Sequence, residues 1–285
     1  MGVCKYCGKP AGLFRSEHKE CKERREVTWK QMVSLVEETI LQQGSDDAYK
    51  SLKEELKKMG IYGYITSEEE ITEALISGWE RAVDRTLEDG KLEESEEKKI
   101  SKFVRFFGFS QSELDRRGYY SKFVKSIVLR EVMEGKVPES VKIRVENVDI
   151  NFQKDEKLIW VFTDVDYLEA RTVRRYSGSS SGLSIRIAKG VYFHTGNFRG
   201  NPIETTEVVR VDTGIVAVTT KHIYFHGSVK SFRIPYKKII SFVPFSDGIG
   251  FFKDSPSSKL QCFKTNDGWF TYNLIVNVSK KIGQG

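Results

Sequence analysis

Asp212-Thr-Gly-Ile-Val-Ala-Val-Thr-Thr-Lys-His-Ile-Tyr-Phe-His226 decides how the C-terminal half of this chain folds. β-Branched and aromatic residues alternate along it, and the run breaks at Lys221. That pattern predicts two antiparallel strands joined by a tight turn. Alternation points Ile223 and Phe225 toward a core, and His222, Tyr224 and His226 toward the outer face. His222 and His226 then stand about 13 Å apart at the usual strand rise, too far to share one metal ion unaided. The frame Gly-[Leu/Ile]-x5-Lys-x-[Val/Ile]-Tyr-Phe-His also occurs at 182–194. There it places Val191 and Phe193 inward, with Tyr192 and His194 on the other side. The two stretches read as two similar hairpin units or as a chance match of strand composition.

Working outward, residues 139–285 keep this β character. Strands are expected at 142–152, 157–163, 166–176, 183–188, 191–195, 206–211, 215–219, 222–226, 229–234, 239–244, 249–252, 259–264 and 269–276, with a short helix at the end. The Ser177–Gly182 run reads as a flexible tip, because strands continue on both sides. Cys262, within a strand-like run, reads as a small buried residue.

Residues 26–138 change period. Trp29, Met32, Val33, Val36 and Ile40 fall on one helical face that ends at Gly44. Asp46 starts a second helix with Tyr49, Leu52, Leu56 and Met59 on its stripe. Ser67-x-x-Glu70 is a capping box opening a long helix through Trp79 and Val83. Further helices carry Ile100, Phe103, Val104 and Phe107, then Ser110-x-x-Glu113, then Tyr120, Phe123, Val124, Ile127 and Val128, stopping at Gly135 with Pro138 beyond.

Residues 1–25 hold Cys4, Cys7, His18 and Cys21, spaced Cys-x2-Cys-x10-His-x2-Cys. Two thiolates separated by two residues bite one ion, and the second pair closes a tetrahedron. The expected cofactor is Zn2+. Four protein ligands leave no open position for a water, so the expected role is structural. Cysteines at metal spacing also imply a reducing compartment, and the expected location is cytoplasmic.

The chain has 285 residues, 39% hydrophobic and 30% charged, enough for several packed cores. No stretch of about 18 apolar residues occurs, and no apolar run precedes a cleavage site near the start, so neither a transmembrane segment nor a secretory signal is expected. The net charge of +6 divides into +4 over residues 1–25, −5 over 26–138 and +7 over 139–285. That balance suits nucleic acid, anionic lipid or an acidic protein without selecting one.

No phosphate-binding loop, dinucleotide fingerprint or nucleophile elbow is present. Asp164 and Asp166, with Glu169 beside them, form the best acidic cluster of the β region and suggest a Mg2+-dependent nuclease as one alternative. Solvated strand charges account for them more simply. Lys230, Arg233, Lys237 and Lys238, interleaved with Phe232 and Tyr236, are the candidate partner- or anion-binding residues. Lys5, Lys9, Arg15, Lys19, Lys22, Arg24 and Arg25 suggest nucleic-acid binding as the other alternative. Glu88–Glu97 lacks the alternating oxygen ligands of a calcium loop and reads as a turn followed by an acid-rich helix start.

Three stretches resemble known families. The N-terminal cysteine–histidine spacing is that of a zinc knuckle. Leu87–Glu97, followed by Phe103-Val-Arg-Phe-Phe-Gly-Phe-Ser110, resembles the tellurite-resistance TerB-like helical domain over about 70–138. That resemblance implies a helical bundle linked to stress response and phage defence, with metal bound through acidic residues in some members. Asp212–Phe225, Phe232-Arg-Ile-Pro-Tyr-Lys-Lys-Ile-Ile-Ser-Phe242 and Asp247-Gly-Ile look like a bacterial pleckstrin-homology-like or GRAM-like domain over about 150–278. That likeness implies a small bent barrel with a terminal helix, binding lipid, peptide or other domains without fixed catalytic residues. The setting implied is bacterial or prophage.

Together these readings predict an α+β multi-domain chain: a zinc knuckle at 1–25, a helical bundle at 26–138 and a mostly antiparallel, barrel-like β region at 139–285. The expected function is non-enzymatic binding or adaptor work on a protein partner, with anionic lipid or nucleic acid as alternatives.

Overall fold

The computed structural model describes residues 2–88, 90–138, 150–175, 185–188, 191–193 and 203–283, with the backbone alone described at 172–175, 185–188, 191–193 and 203–206. The chain divides into two compact units, Met1–Arg130 and Glu131–Gly285. The architecture is α+β, as expected.

The first unit opens with a small antiparallel pair, β1 (Gly2–Val3) and β2 (Pro10–Gly12). Helix α1 (Lys19–Glu38) follows and ends in a π-helical turn at Thr39–Gln43, closed by Gly44 at φ 58°. The helix therefore begins well before Trp29, and the expected boundary at residue 25 falls inside it. α2 (Asp46–Gly63) is capped by Ser45, whose hydroxyl accepts from the Ala48 amide, rather than by Asp46. α3 (Glu68–Thr86) starts at the Ser67/Glu70 capping box read from the sequence. α4 (Glu94–Phe107), α5 (Gln111–Leu114) and α6 (Tyr119–Met133) complete the bundle.

Met32, Val33, Val36 and Ile40 form the buried stripe of α1, and Ile71, Ala74, Leu75, Trp79 and Val83 that of α3. The two helices lie close because Gly78 offers no side chain. A Cβ there would stand 2.4 Å from Val36 Cβ. The acid-rich start of α4 is structural. Glu96 accepts from the Glu93 amide at 3.0 Å, and Glu97 pairs with the buried guanidinium of Arg130. Asp89 of that segment lies outside the described residues.

The second unit is built on a seven-stranded antiparallel sheet. Its strands are β3 (Leu158–Arg175), β6 (Ile203–Thr219), β7 (His222–Gly227), β8 (Ser231–Pro235), β9 (Ile239–Phe245), β10 (Gly248–Lys253) and β11 (Gln261–Lys264). A separate antiparallel hairpin joins β4 (Ile185–Ala188) to β5 (Val191–Phe193). Sheet order is β8-β7-β6-β3-β11-β10-β9. Long β3 is the pivot: it pairs with β6 along its length and with β11 through Asp166–Glu169. Register shifts at Phe162/Val165 and Tyr167/Leu168 interrupt it. Such bulges bend a strand and let it serve two partners. Tyr167, Phe225, Phe251 and Phe263 are buried together at its centre, with ring centroids 5.0–5.9 Å apart along the chain of contacts.

Three expectations are corrected. The sheet does not close into a barrel among the described residues. β8 and β9 are its edges, joined by a 3-10 turn at Tyr236–Lys238 rather than by a hydrogen-bonded ladder. Residues 269–276 are not a strand but lie within α7 (Gly268–Lys281). Asp267 caps that helix by accepting from the Phe270 amide, and Phe270, Leu274, Ile275 and Val278 form its buried stripe at 3.6-residue spacing. Phe270 packs on Trp160 with centroids 4.9 Å apart. Finally, His222 and Tyr224 do not face solvent; both are buried. The segment before β3 covers that face, with Phe152 edge-on to Tyr224 at 5.3 Å and Glu156 beneath. The echo at 182–194 is a backbone hairpin at 185–188 and 191–193 outside the seven-stranded sheet; its side chains, and His194, lie outside the described residues.

Candidate metal centre

Cys4 follows β1, and the chain folds straight back. The Gly8 amide donates to the Cys4 carbonyl at 2.9 Å and the Cys4 amide to the Lys9 carbonyl at 2.8 Å. Gly8 takes φ 70°, a left-handed turn that a side chain would resist. That turn brings Cys7 beside Cys4. His18 occupies the N-cap of α1, and Cys21, three residues on, lies on the same helical face one turn away. One helix end thus supplies half of the ligand set, and the β1–β2 turn the other half.

The four ligand atoms all lie within 4.8 Å of one another. His18 Nδ1 stands 3.4 Å from Cys7 Sγ and 3.7 Å from Cys21 Sγ. Zinc bonds of about 2.3 Å to sulfur and 2.0 Å to nitrogen give tetrahedral edges of roughly 3.5–3.8 Å, so the donor set fits such an ion. Among the described residues this is the one group of three or more His, Cys, Asp or Glu side chains so gathered.

The surroundings set the protonation states. Burial alone would raise the Cys4 thiol, but amides of Cys7, His18 and Tyr6 directed at its sulfur bring it down to about 6. Burial, and then the neighbouring sulfurs of Cys7 and Cys4, hold the Cys21 thiol above its ordinary value. His18 is raised by its bond to the Pro10 carbonyl and then by Cys7.

Residues that the sequence reading missed tie this centre to the bundle. Tyr64, at the left-handed C-cap of α2, sets its hydroxyl beside the Cys21 thiol, and that neighbour helps to raise the tyrosine after burial does. Its ring stacks on Tyr6 with centroids 6.3 Å apart. Arg25 bonds the Tyr64 carbonyl and Glu70, and its guanidinium lies 5.5 Å from the Tyr6 ring. Arg24 bonds the Tyr64 hydroxyl at 3.3 Å and lies over Tyr62 at 5.0 Å. The only sequence signal was the aromatic run Tyr62-Gly-Tyr64 before Ile65, and nothing in it names a metal.

The basic residues proposed for nucleic acid are mostly engaged. Lys5 pairs with Glu17 at 2.8 Å, Lys22 with Glu17 at 3.8 Å and Lys19 with Glu23 at 3.6 Å, beside the arginine contacts above. The second basic set is spread along β8 and the turn after it. Lys230 precedes β8 and pairs with Glu169 at 2.7 Å, while Lys237 and Lys238 follow β8 at its other end and Arg233 sits between them. Asp164 sits at the bulge of β3 with φ 54°, and Asp166 accepts from the Thr213 hydroxyl at 2.6 Å with Arg210 3.5 Å away. Glu169 also accepts from Tyr167 at 2.8 Å.

Cys262 is buried in β11, and burial pushes its thiol up to about 11. Among the described residues no helix is long and apolar enough to cross a membrane. Comparison with known proteins finds no matching family profile, no matching curated protein and no matching solved structure.

Proposed function

We propose that this chain is a non-enzymatic binding protein whose N-terminal Cys3His centre holds one structural zinc ion, with the helical and β units presenting recognition surfaces. The observation that carries the reading is the convergence of Cys4, Cys7, His18 and Cys21 at tetrahedral spacing. Three thiolates and an imidazole favour zinc over harder cations, and a full protein ligand set leaves no site for a reacting water. Two features support docking as the task. The centre is braced by Tyr6, Tyr64 and Arg25, so the ion orders the start of α1 as well as the loop before it. The second unit pairs an open seven-stranded antiparallel sheet with a terminal helix; the helix agrees with the pleckstrin-homology-like resemblance, and the open sheet departs from its barrel. A reducing, cytoplasmic compartment would keep the thiols available.

Elemental analysis of protein purified without chelator tests this directly: one zinc per chain is expected, and none in Cys21→Ser. Absence of metal from the intact protein, or turnover of any small molecule or polynucleotide by it, defeats the reading.

A further inference from the structure

We propose that Leu13 and Phe14 form a docking tip, held out by the metal centre, that seats the N-terminal unit on an anionic lipid surface. The inference rests on the zinc reading above and names a partner for it.

Phe14 is 101% exposed and Leu13 74%, side by side at the turn between β2 and His18. Phe14 is held at φ 63° and the preceding Gly12 at φ 98°. An aromatic residue enters the left-handed region only where its surroundings determine it. Here they do. Cys4 and Cys7 anchor one side of the loop and His18 the other, and the Lys5 amide closes its base on the Ser16 carbonyl at 2.9 Å. The backbone is thus bent to project two large apolar side chains that touch no core.

Charge selects the occupant. Arg15 follows Phe14 directly, Lys9 stands just before β2, and both are exposed. An apolar pair carried beside exposed cations on a segment of net charge +4 matches hydrocarbon beneath a layer of phosphate headgroups. Nucleic acid fits less well. A base stacks on Phe14 but offers nothing to Leu13, and five of the seven nearby cations are already engaged by Glu17, Glu23, Glu70 and Tyr64.

Flotation of the full-length, zinc-loaded chain with vesicles tests the tip. Vesicles of mixed phosphatidylglycerol and phosphatidylcholine should bind it, phosphatidylcholine alone should not, and added salt or a chelator should release it. The double substitution L13S/F14N should weaken binding about ten-fold or more, from the apolar area lost. Asparagine suits the left-handed backbone at position 14, so zinc content and circular dichroism should not change. Phe14→Trp should keep binding. Unchanged flotation of L13S/F14N would overturn the tip, since any lipid contact would then lie elsewhere. So would a tip-dependent affinity for single-stranded RNA, or for a protein, with no affinity for vesicles. A chain that carries one zinc yet ignores anionic vesicles overturns the docking tip and leaves the metal reading standing; a chain that binds no zinc overturns both.

Discussion

His18 Nε2 stands 2.9 Å from the carbonyl oxygen of Pro10. A carbonyl only accepts, so Nε2 carries the ring proton and the Nδ1 lone pair is left for a metal. Pro10 sits in β2 and His18 at the start of α1, so one bond fixes both the tautomer and the angle at which the hairpin meets the helix.

Metal content should follow the four ligands and not the fourth cysteine. Cys21→Ser is expected to lose stoichiometric zinc, while Cys262→Ala keeps it. Removing the ion should unravel the loop and fray the first turns of α1, because binding energy in such sites is folding energy. Far-ultraviolet circular dichroism before and after chelation reads the loss, and a signal unchanged by complete zinc removal would contradict it.

Zinc affinity should fall as pH falls. Cys21 and His18 are both held above their ordinary values, so protons compete for them early in an acid titration. Release into a chromogenic indicator should increase steadily from pH 8 toward pH 5, with no reversal.

Glu156 should anchor the segment ahead of β3. Its carboxylate is fully buried and accepts from the Tyr224 hydroxyl at 2.7 Å, from His222 Nδ1 at 2.9 Å and from Thr219. Burial would raise this carboxyl, but bonds from Thr219, Tyr224 and His222 outweigh it and hold it below the usual carboxylate range. A depressed folded value stabilises the fold above the unfolded value of about 4.3, and that stabilisation is lost as pH falls through the folded value. Glu156→Gln should cost about 1–3 kcal/mol near neutral pH by leaving partners mismatched. Its melting temperature should also vary less with acid than that of the wild type.

Gly78→Ala should destabilise the helical unit by about 1–3 kcal/mol, because the added methyl meets the Val36 side chain and the Val33 carbonyl across the α1–α3 contact. Denaturant melts report it. An unchanged midpoint would mean the helices separate at no cost.

Much of the fold is legible in the sequence. Capping boxes at Ser67 and Ser110 start α3 and α5 where the sequence places them, because caps act within one turn of chain. Strands β7, β9 and β10 lie within a residue of their expected bounds. Alternation failed for His222 and Tyr224, because it gives the face a side chain takes and not what covers that face. Residues 269–276 failed for a related reason. Their Phe, Thr, Tyr, Ile and Val content favours a strand, but the Asp267 cap and a sheet needing cover made a helix.

The order and spacing of Cys4, Cys7, His18 and Cys21 were settled by the chain alone, since short-range chelation depends on residues only a few positions apart. Their brace was not. Tyr64 lies 39 residues and Glu70 45 residues downstream of Arg25, and they meet it only because α2 and α3 fold back along α1. Local chemistry is written along the sequence, whereas contacts between distant residues exist only after the core has packed.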